Sequence, residues 1–374
     1  MTKNGRFLLG LTAATMLLWS CSADDGARRG EPSAPPVAIS FSAMTEDNGI
    51  TRTASNTLTL DGSGTNEMSL RANGFGVFAS HTGFHPYVSS TTTSNLMWNQ
   101  QVADTDMDGT WTYSPITYWP NSDENVNEYV TFFAYAPYSD GSTDAASACI
   151  KDFSLAGETG DPWLLYQLGG SETANGPDGW KARQVDLLYD FQKDQLRPFP
   201  VMEVVRFHFK HALACVGDYI TLTCSDDLQD RLKALSASTG NTVTLAFDLL
   251  SLHYELTSKA KLVLNGSTQP NWKVVDSGET MVHRYLALDP ENDFVLATAT
   301  SGSSCTLTDY MVSNQGIFYI PIEVGNNIQK VTATIYYVVS TGQEGVVKAT
   351  VNLNPLADAG NGRHLNLILS IPDL

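Results

Sequence analysis

Short apolar–polar alternations, each closed by a turn signal, recur from residue 37 to the end of the chain. Val205, Phe207, Phe209 and His211 fall on one face of such a run, and Leu365, Leu367, Leu369 and Ile371 on one face of another. Period-two alternation lets a strand bury one face and wet the other. Val37, Ile39 and Phe41 form a similar face near the start. Gly74-Phe75-Gly76-Val77-Phe78-Ala79 and the β-branched, aromatic run from Val331 to Val339 also read as strands. Tyr129 to Tyr135 is almost unbroken apolar sequence, the pattern of a strand covered on both sides. A few helical pieces fit, for instance around Leu228 to Ala237. Strand after strand with few helices argues for β-sandwiches.

The chain has 374 residues, a length that suggests about two domains. It is 42% hydrophobic, enough for real cores, and only 17% charged, which suits strands and Ser/Thr/Asn loops better than Lys/Glu-rich helices. A polar stretch containing Pro198 and Pro200 separates Tyr189 from Val204. The fold class expected is therefore all-β, with β-sandwich domains in tandem over 37–195 and 196–374.

Residues 1–20 carry a basic start (Lys3, Arg6), an apolar run from Phe7 to Leu18, and a small residue before Cys21. That is the layout of a secretory signal peptide, and the run is too short to span a bilayer. With Cys21 directly after Ser20, it resembles a bacterial lipoprotein signal, which would place lipid on Cys21. Ser22-Ala23-Asp24-Asp25 resembles the surface-export signal of Bacteroidetes lipoproteins. Residues 21–36, with Pro32, Pro35 and Pro36, read as a flexible tether.

The formal net charge is -18. That argues against nucleic acid, whose phosphates need a basic patch, and suits a self-repelling surface protein. Beyond Cys21 there remain Cys149, Cys215, Cys224 and Cys305. They permit two disulfides with three connectivities, but scattered cysteines in a chain this long more often act as small buried hydrophobes.

Asp104-Thr105-Asp106-Met107-Asp108-Gly109 begins as an EF-hand calcium loop begins. The twelfth position is Pro115, so the bidentate carboxylate is missing. Asp104, Asp106 and Asp108 are candidate ligands for a structural calcium, against the commoner reading of an acidic hairpin loop. No other cofactor is expected. Gly74-Phe75-Gly76 enters a strand, so it is not a dinucleotide fingerprint. His208 and His211 point to opposite faces of one strand and cannot easily share a metal. Trp111, Tyr118 and Trp119 could stack on sugars, but large aromatics more often bury. Neither a Gly-x-Ser-x-Gly elbow nor a His-Glu-x-x-His motif occurs, and a non-enzymatic role is expected.

Several motifs in order resemble the fimbrillin family of Bacteroidales, subunits of type V pili and related surface lipoproteins. They are Ile39-Ser40-Phe41 followed by Thr51-Arg52, Phe75-Gly76-Val77-Phe78-Ala79, and Trp111-Thr112-Tyr113-Ser114-Pro115 leading to Tyr118-Trp119-Pro120. Phe132-Phe133-Ala134-Tyr135-Ala136-Pro137, Asp186-Leu187-Leu188-Tyr189 and Phe207-His208-Phe209-Lys210-His211-Ala212-Leu213-Ala214 complete the series. The resemblance implies two tandem, transthyretin-like β-sandwiches and a fimbrial subunit or adhesin acting in cell adhesion. It implies a lipidated precursor at the outer membrane, facing outward or built into a fimbrium. An arginine-specific maturation protease would cut at Arg52, with Arg71 as the competing site. Removing the strand containing Val37, Ile39 and Phe41 would open a groove for a strand donated by another pilus subunit, in a homo- or hetero-polymer. Leu365, Leu367, Leu369 and Ile371 form the candidate donor strand, or simply the last strand of the second sandwich. Host or bacterial surface ligands are further expected partners. The alternative is a surface glycan-binding lipoprotein that never polymerises.

Overall fold

A computed structural model describes residues 36–373, apart from 46–57, 60–67, 121–127, 142–148, 168–184, 198–203, 258, 268, 276–278, 288–293, 301–303, 309, 314–317, 322–329 and 353–363. The described residues hold β1 (Phe41–Thr45), β2 (Leu58–Thr59), β3 (Met68–Ser69), α1 (Leu70–Asn73), β4 (Phe75–Gly83), β5 (Met97–Val102) and β6 (Tyr129–Ala136). Then come β7 (Ile150–Phe153), β8 (Trp163–Gln167), β9 (Leu188–Leu196), β10 (Val205–His211), β11 (Ala214–Cys224), α2 (Asp226–Thr239) and β12 (Val243–Thr257). After these follow β13 (Lys259–Val263), β14 (Asn271–Val274), β15 (Glu279–Ala287), β16 (Phe294–Thr300), β17 (Ser304–Leu307) and β18 (Tyr310–Ser313). The last are β19 (Phe318–Ile320), β20 (Lys330–Val339), β21 (Gln343–Asn352) and β22 (His364–Ile371). The chain is all-β with two helices among the described residues.

Six strands form the first sheet in the order β1-β10-β9-β6-β4-β5. Its central strands are apolar on both faces. Phe75, Val77, Phe132, Ala134, Phe207 and Phe209 share one face. Phe78, Phe133, Tyr135 and Tyr189 share the other. Every residue of β6 from Val130 to Ala136 is buried, as the unbroken apolar run predicts. The first face is covered by Ile39, Leu70, Trp111, Tyr113 and Trp119. The second is covered by a smaller sheet, β14-β13-β8-β7, whose Ile150, Leu164, Tyr166, Leu262 and Trp272 enter the same core. Gly76 lies opposite Tyr135 across the β4–β6 pair, where any Cβ would collide with the tyrosine ring. That ring's hydroxyl donates to Asn99 Oδ1 (2.7 Å) and the Ser139 carbonyl (2.9 Å), so glycine makes room for a buried, satisfied tyrosine.

The second sandwich packs β11, β18, β19 and β22 against β17-β16-β12-β20-β21, with β15 on the far part of β12. Val216, Ile220 and Leu222 of β11 meet Leu245, Phe247, Val331, Ile335 and Leu369 in its core. Helix α2 lies over it through Leu228 and Leu232. Its boundaries follow local chemistry: the Ser225 hydroxyl caps the Leu228 N–H, and Gly240 takes a left-handed φ of 71° at the other end.

Pairing crosses residues 195–196, where the Pro-containing stretch suggests a division. β10 pairs antiparallel with β9, and the β13–β14 hairpin adds to β8. The sheets of the first sandwich thus take strands from both sides of that point. A Pro-rich stretch marks a change of chain direction, whereas sheet membership is set by long-range pairing. The hairpin is fastened by Trp272 Nε1 donating to the Ala212 carbonyl (2.7 Å) and Asn265 Nδ2 donating to Asp161 (2.8 Å). Cys149, Cys215 and Cys224 are buried as thiols, small apolar fillers of these cores.

Trp272 fills the contact between hairpin and first sandwich, so Trp272→Ala should lower unfolding free energy by about 3–5 kcal/mol. Urea denaturation followed by circular dichroism would measure it.

Candidate assembly site

The segment 37–45 seats itself in two steps. Residues 37–39 run beside 117–119: Trp119 N–H donates to the Val37 carbonyl and Ile39 N–H to the Thr117 carbonyl, both at 2.9 Å. Tyr113 Oη adds bonds to the Ile39 carbonyl (2.8 Å) and the Thr117 carbonyl (3.1 Å). Burial raises the Tyr113 pKa above that of a free phenol, which keeps it a neutral donor. From Phe41 the chain becomes β1 and pairs in parallel with β10, Phe41 opposite Val205 and Thr45 opposite Phe209. The strand expected from Val37 onward therefore begins at Phe41, because the chain switches partners there.

The predicted face is real. Ile39 and Phe41 are 1% and 4% exposed, and Val37 is half-buried against the same core. The Phe41 ring stacks on Phe207 (centroids 5.9 Å apart) and meets Tyr113, Phe132 and Phe75 edge-on at 5.5, 5.9 and 6.3 Å. Burying Ile39 and Phe41 stabilises the fold by roughly 1.5–3 kcal/mol each. β1 is the terminal described strand of its sheet. Without it the β10 backbone edge and an aromatic-lined groove would both lie open. Sequence reasoning found the strand but not the groove's walls, since no periodicity says which phenylalanine meets which.

β22 occupies the corresponding position in the second sandwich. It pairs in parallel with β11, from Cys215 opposite His364 to Cys224 opposite Ile371. Leu367, Leu369 and Ile371 are fully buried in their own core; Leu365 pairs with Val216 through its backbone. The strand's end is latched to α2: Ser225 N–H donates to the Ile371 carbonyl (2.9 Å) and Ser225 Oγ to the Pro372 carbonyl (2.6 Å). An exposed Arg231–Asp373 pair adds little.

The acidic loop is organised around Asp104, which is fully buried while Asp106 and Asp108 are exposed. Its carboxylate receives Arg71 Nε at 2.5 Å and the N–H groups of Asp108 and Gly109 at 3.1 Å. The three aspartates offer oxygens within 4.8 Å of one another. Calcium would still have to compete with the Arg71 charge for the central carboxylate, and Pro115 supplies no ligand. The donor set fits a loop closed by protein groups better than a calcium cage. His211 is a satisfied partner too, its Nδ1 3.0 Å from buried Asp186. Trp119 is buried and Trp111 packs on the same core, leaving Tyr118 exposed. Cys21 and Arg52 lie outside the described residues. Arg71 sits in α1, held by Asp104.

An all-β fold whose first strand closes a groove at a sheet edge defines the class of this protein. The fimbrillin-like family profile matches residues 51–352, and the chain belongs to that family. It is 30% identical over 165 residues to the fimbrium subunit Fim1C of Phocaeicola vulgatus, a match covering 42% of this chain and 39% of that protein. The match thus spans well under half of that relative's length. Among solved structures, a candidate cell adhesion protein from Bacteroides uniformis aligns over 91% of this chain and 94% of its own, at 13% identity and a TM-score of 0.37. Another from Bacteroides eggerthii covers 91% and 89%, at 11% identity and a TM-score of 0.35.

Three substitutions probe this region. Phe41→Ala should cost about 3–5 kcal/mol by emptying the aromatic groove. Asp104→Ala should cost about 3 kcal/mol by stranding the half-buried Arg71 charge, and adding Arg71→Ala should recover part of that loss. Chemical denaturation of the four proteins checks both.

Proposed function

We propose that this protein is a non-enzymatic structural subunit of a surface fimbrium, made as a lipoprotein and assembled by strand exchange. The observation that carries the reading is the seating of residues 37–45: an edge strand, placed before Arg52 in the sequence, fills an aromatic groove. In this reading Cys21 bears the lipid that anchors the precursor at the outer membrane, facing outward. An arginine-specific protease then cuts after Arg52, and the 37–45 strand leaves. A strand from a neighbouring subunit replaces it, drawing affinity from main-chain pairing with β10 and specificity from apolar side chains in the vacated pockets. Arg71 is the poorer substrate, since its guanidinium and its backbone are both engaged by Asp104.

The β22 strand has the alternation a donor needs, and its departure would require breaking the Ser225 latch and exposing Leu367, Leu369 and Ile371. We assign it first to closing its own sandwich, with donation following only when a neighbouring groove replaces that core. The reading as a non-polymerising glycan binder built on Trp111, Tyr118 and Trp119 is weaker, because two of those rings are packed in the core.

The test is limited digestion of the unlipidated precursor with an arginine-specific protease, N-terminal sequencing, and electron microscopy of the product. A new N-terminus at Thr53 with filaments is the expected result, and Arg52→Ala should abolish both. An intact chain, or cleavage that never yields filaments, would overturn strand-exchange assembly.

A further inference from the structure

Beyond assembly, the first sandwich carries a cup of about 390 Å³ at one end of its six-stranded sheet. Its wall is the end of β4 and the loop that follows, from His81 to Asn95. This is the sheet end where Tyr129 pairs with Leu196, opposite the end where His211 leads toward β11. The cup is at the lower limit of small-molecule sites, large enough for one or two sugar rings.

The walls are held in place by bonds that do not use the cup's own recognition groups. Asn95 grips the His81 backbone on both sides, accepting its N–H (2.8 Å) and donating to its carbonyl (3.0 Å). The Val88 carbonyl gathers the N–H groups of Thr91 and Thr92 at 3.1 Å and the Thr92 hydroxyl at 2.7 Å. Gly160 N–H binds the Thr92 carbonyl (2.9 Å), and Thr93 bridges to Thr159. The Thr82 hydroxyl donates to the His85 carbonyl (2.6 Å). A site so braced is pre-organised, which reduces the entropy lost on binding.

What remains for a ligand is specific in kind. His81 Nε2 lies 2.8 Å from Glu128 Oε2, which engages that edge of the ring and leaves Nδ1 for a ligand. The exposed His85 imidazole and the Thr93 hydroxyl have no side-chain partner among the described residues. Pro86 and Val88 supply an apolar wall, and Phe84, 64% exposed, stands in the turn beside His85. Among the described residues, no Lys, Arg, Asp or Glu lines the cup. An acidic protein of net charge -18 repels free anions, and the Glu128 carboxylate beside the cup is already engaged by His81. Hydroxyl-binding groups beside an apolar wall match a pyranose, whose rim is polar and whose faces are not.

We propose that this cup binds a neutral sugar residue, giving the subunit a glycan-recognition site separate from its assembly groove. The test uses the full unlipidated chain and saturation-transfer NMR with the methyl glycosides of glucose, galactose, mannose and N-acetylglucosamine, with methyl glucuronide as the charged control. Transfer to the ring protons of at least one neutral glycoside is expected, weakened roughly three- to tenfold by His85→Ala and by Thr93→Val. Both variants alter exposed or half-buried side chains, and a thermal melt matching the wild type certifies their fold. Transfer to none of the neutral sugars, equal or stronger binding of methyl glucuronide, or binding unchanged in both folded variants would each overturn the proposal. Because filament formation is read separately, failure here leaves the assembly reading standing, and the reverse holds too.

Discussion

The central strands of the first sandwich's six-stranded sheet are apolar on both faces, and most of the architecture follows from covering them twice. One face is sealed by the smaller sheet, which needs the β13–β14 hairpin from far along the chain to be complete. Among the described residues the other face has no second sheet. It is sealed by the 37–45 segment, the 111–119 loop and Leu70, a patchwork of short pieces around Phe75, Phe132 and Phe207. Apolar surface left wet would cost about 25 cal/mol per Å², so each cover is held by the hydrophobic term while its backbone bonds fix register.

In the proposed assembly, this asymmetry is what would suit the first described strand to exchange. A cover that is a whole sheet cannot leave without unfolding the sandwich. A single edge strand joined in parallel to β10 is held by side-chain fit and main-chain pairing alone, and in that proposal another strand of the same alternation would meet both. The same geometry recurs at the other terminus, where β22 lies parallel to β11. There the strand is additionally fastened by Ser225 at the start of α2, a latch that β1 does not share among the described residues.

Some of the molecule was legible residue by residue. The doubly covered β6, the buried face of Ile39 and Phe41, the alternation of β10 and β22 and the capped α2 all follow from local periodicity and local chemistry. The Asp104 loop was legible only as an acidic turn, because its ion pair with Arg71 joins positions 33 residues apart. The role of Tyr113 in holding Ile39 in place, and the cup between His81 and Asn95, left no signal in the pattern, since they arise where a loop folds back on a strand end.

The sequence by itself determined that this chain is all-β, which side chains point inward along its clearest alternating strands, and that a helical piece lies around Leu228 to Ala237. Those properties depend on neighbours within a turn or a pleat, so the order of residues encodes them directly. Tertiary structure alone decided which strands are neighbours, that residues past 196 complete the first sandwich, and that the first strand lies at an edge over an aromatic groove. Those are pairings between distant segments, chosen by which combination of faces and edges leaves the least apolar surface and the fewest backbone groups unpaired, a property of the whole chain and of no single stretch of it.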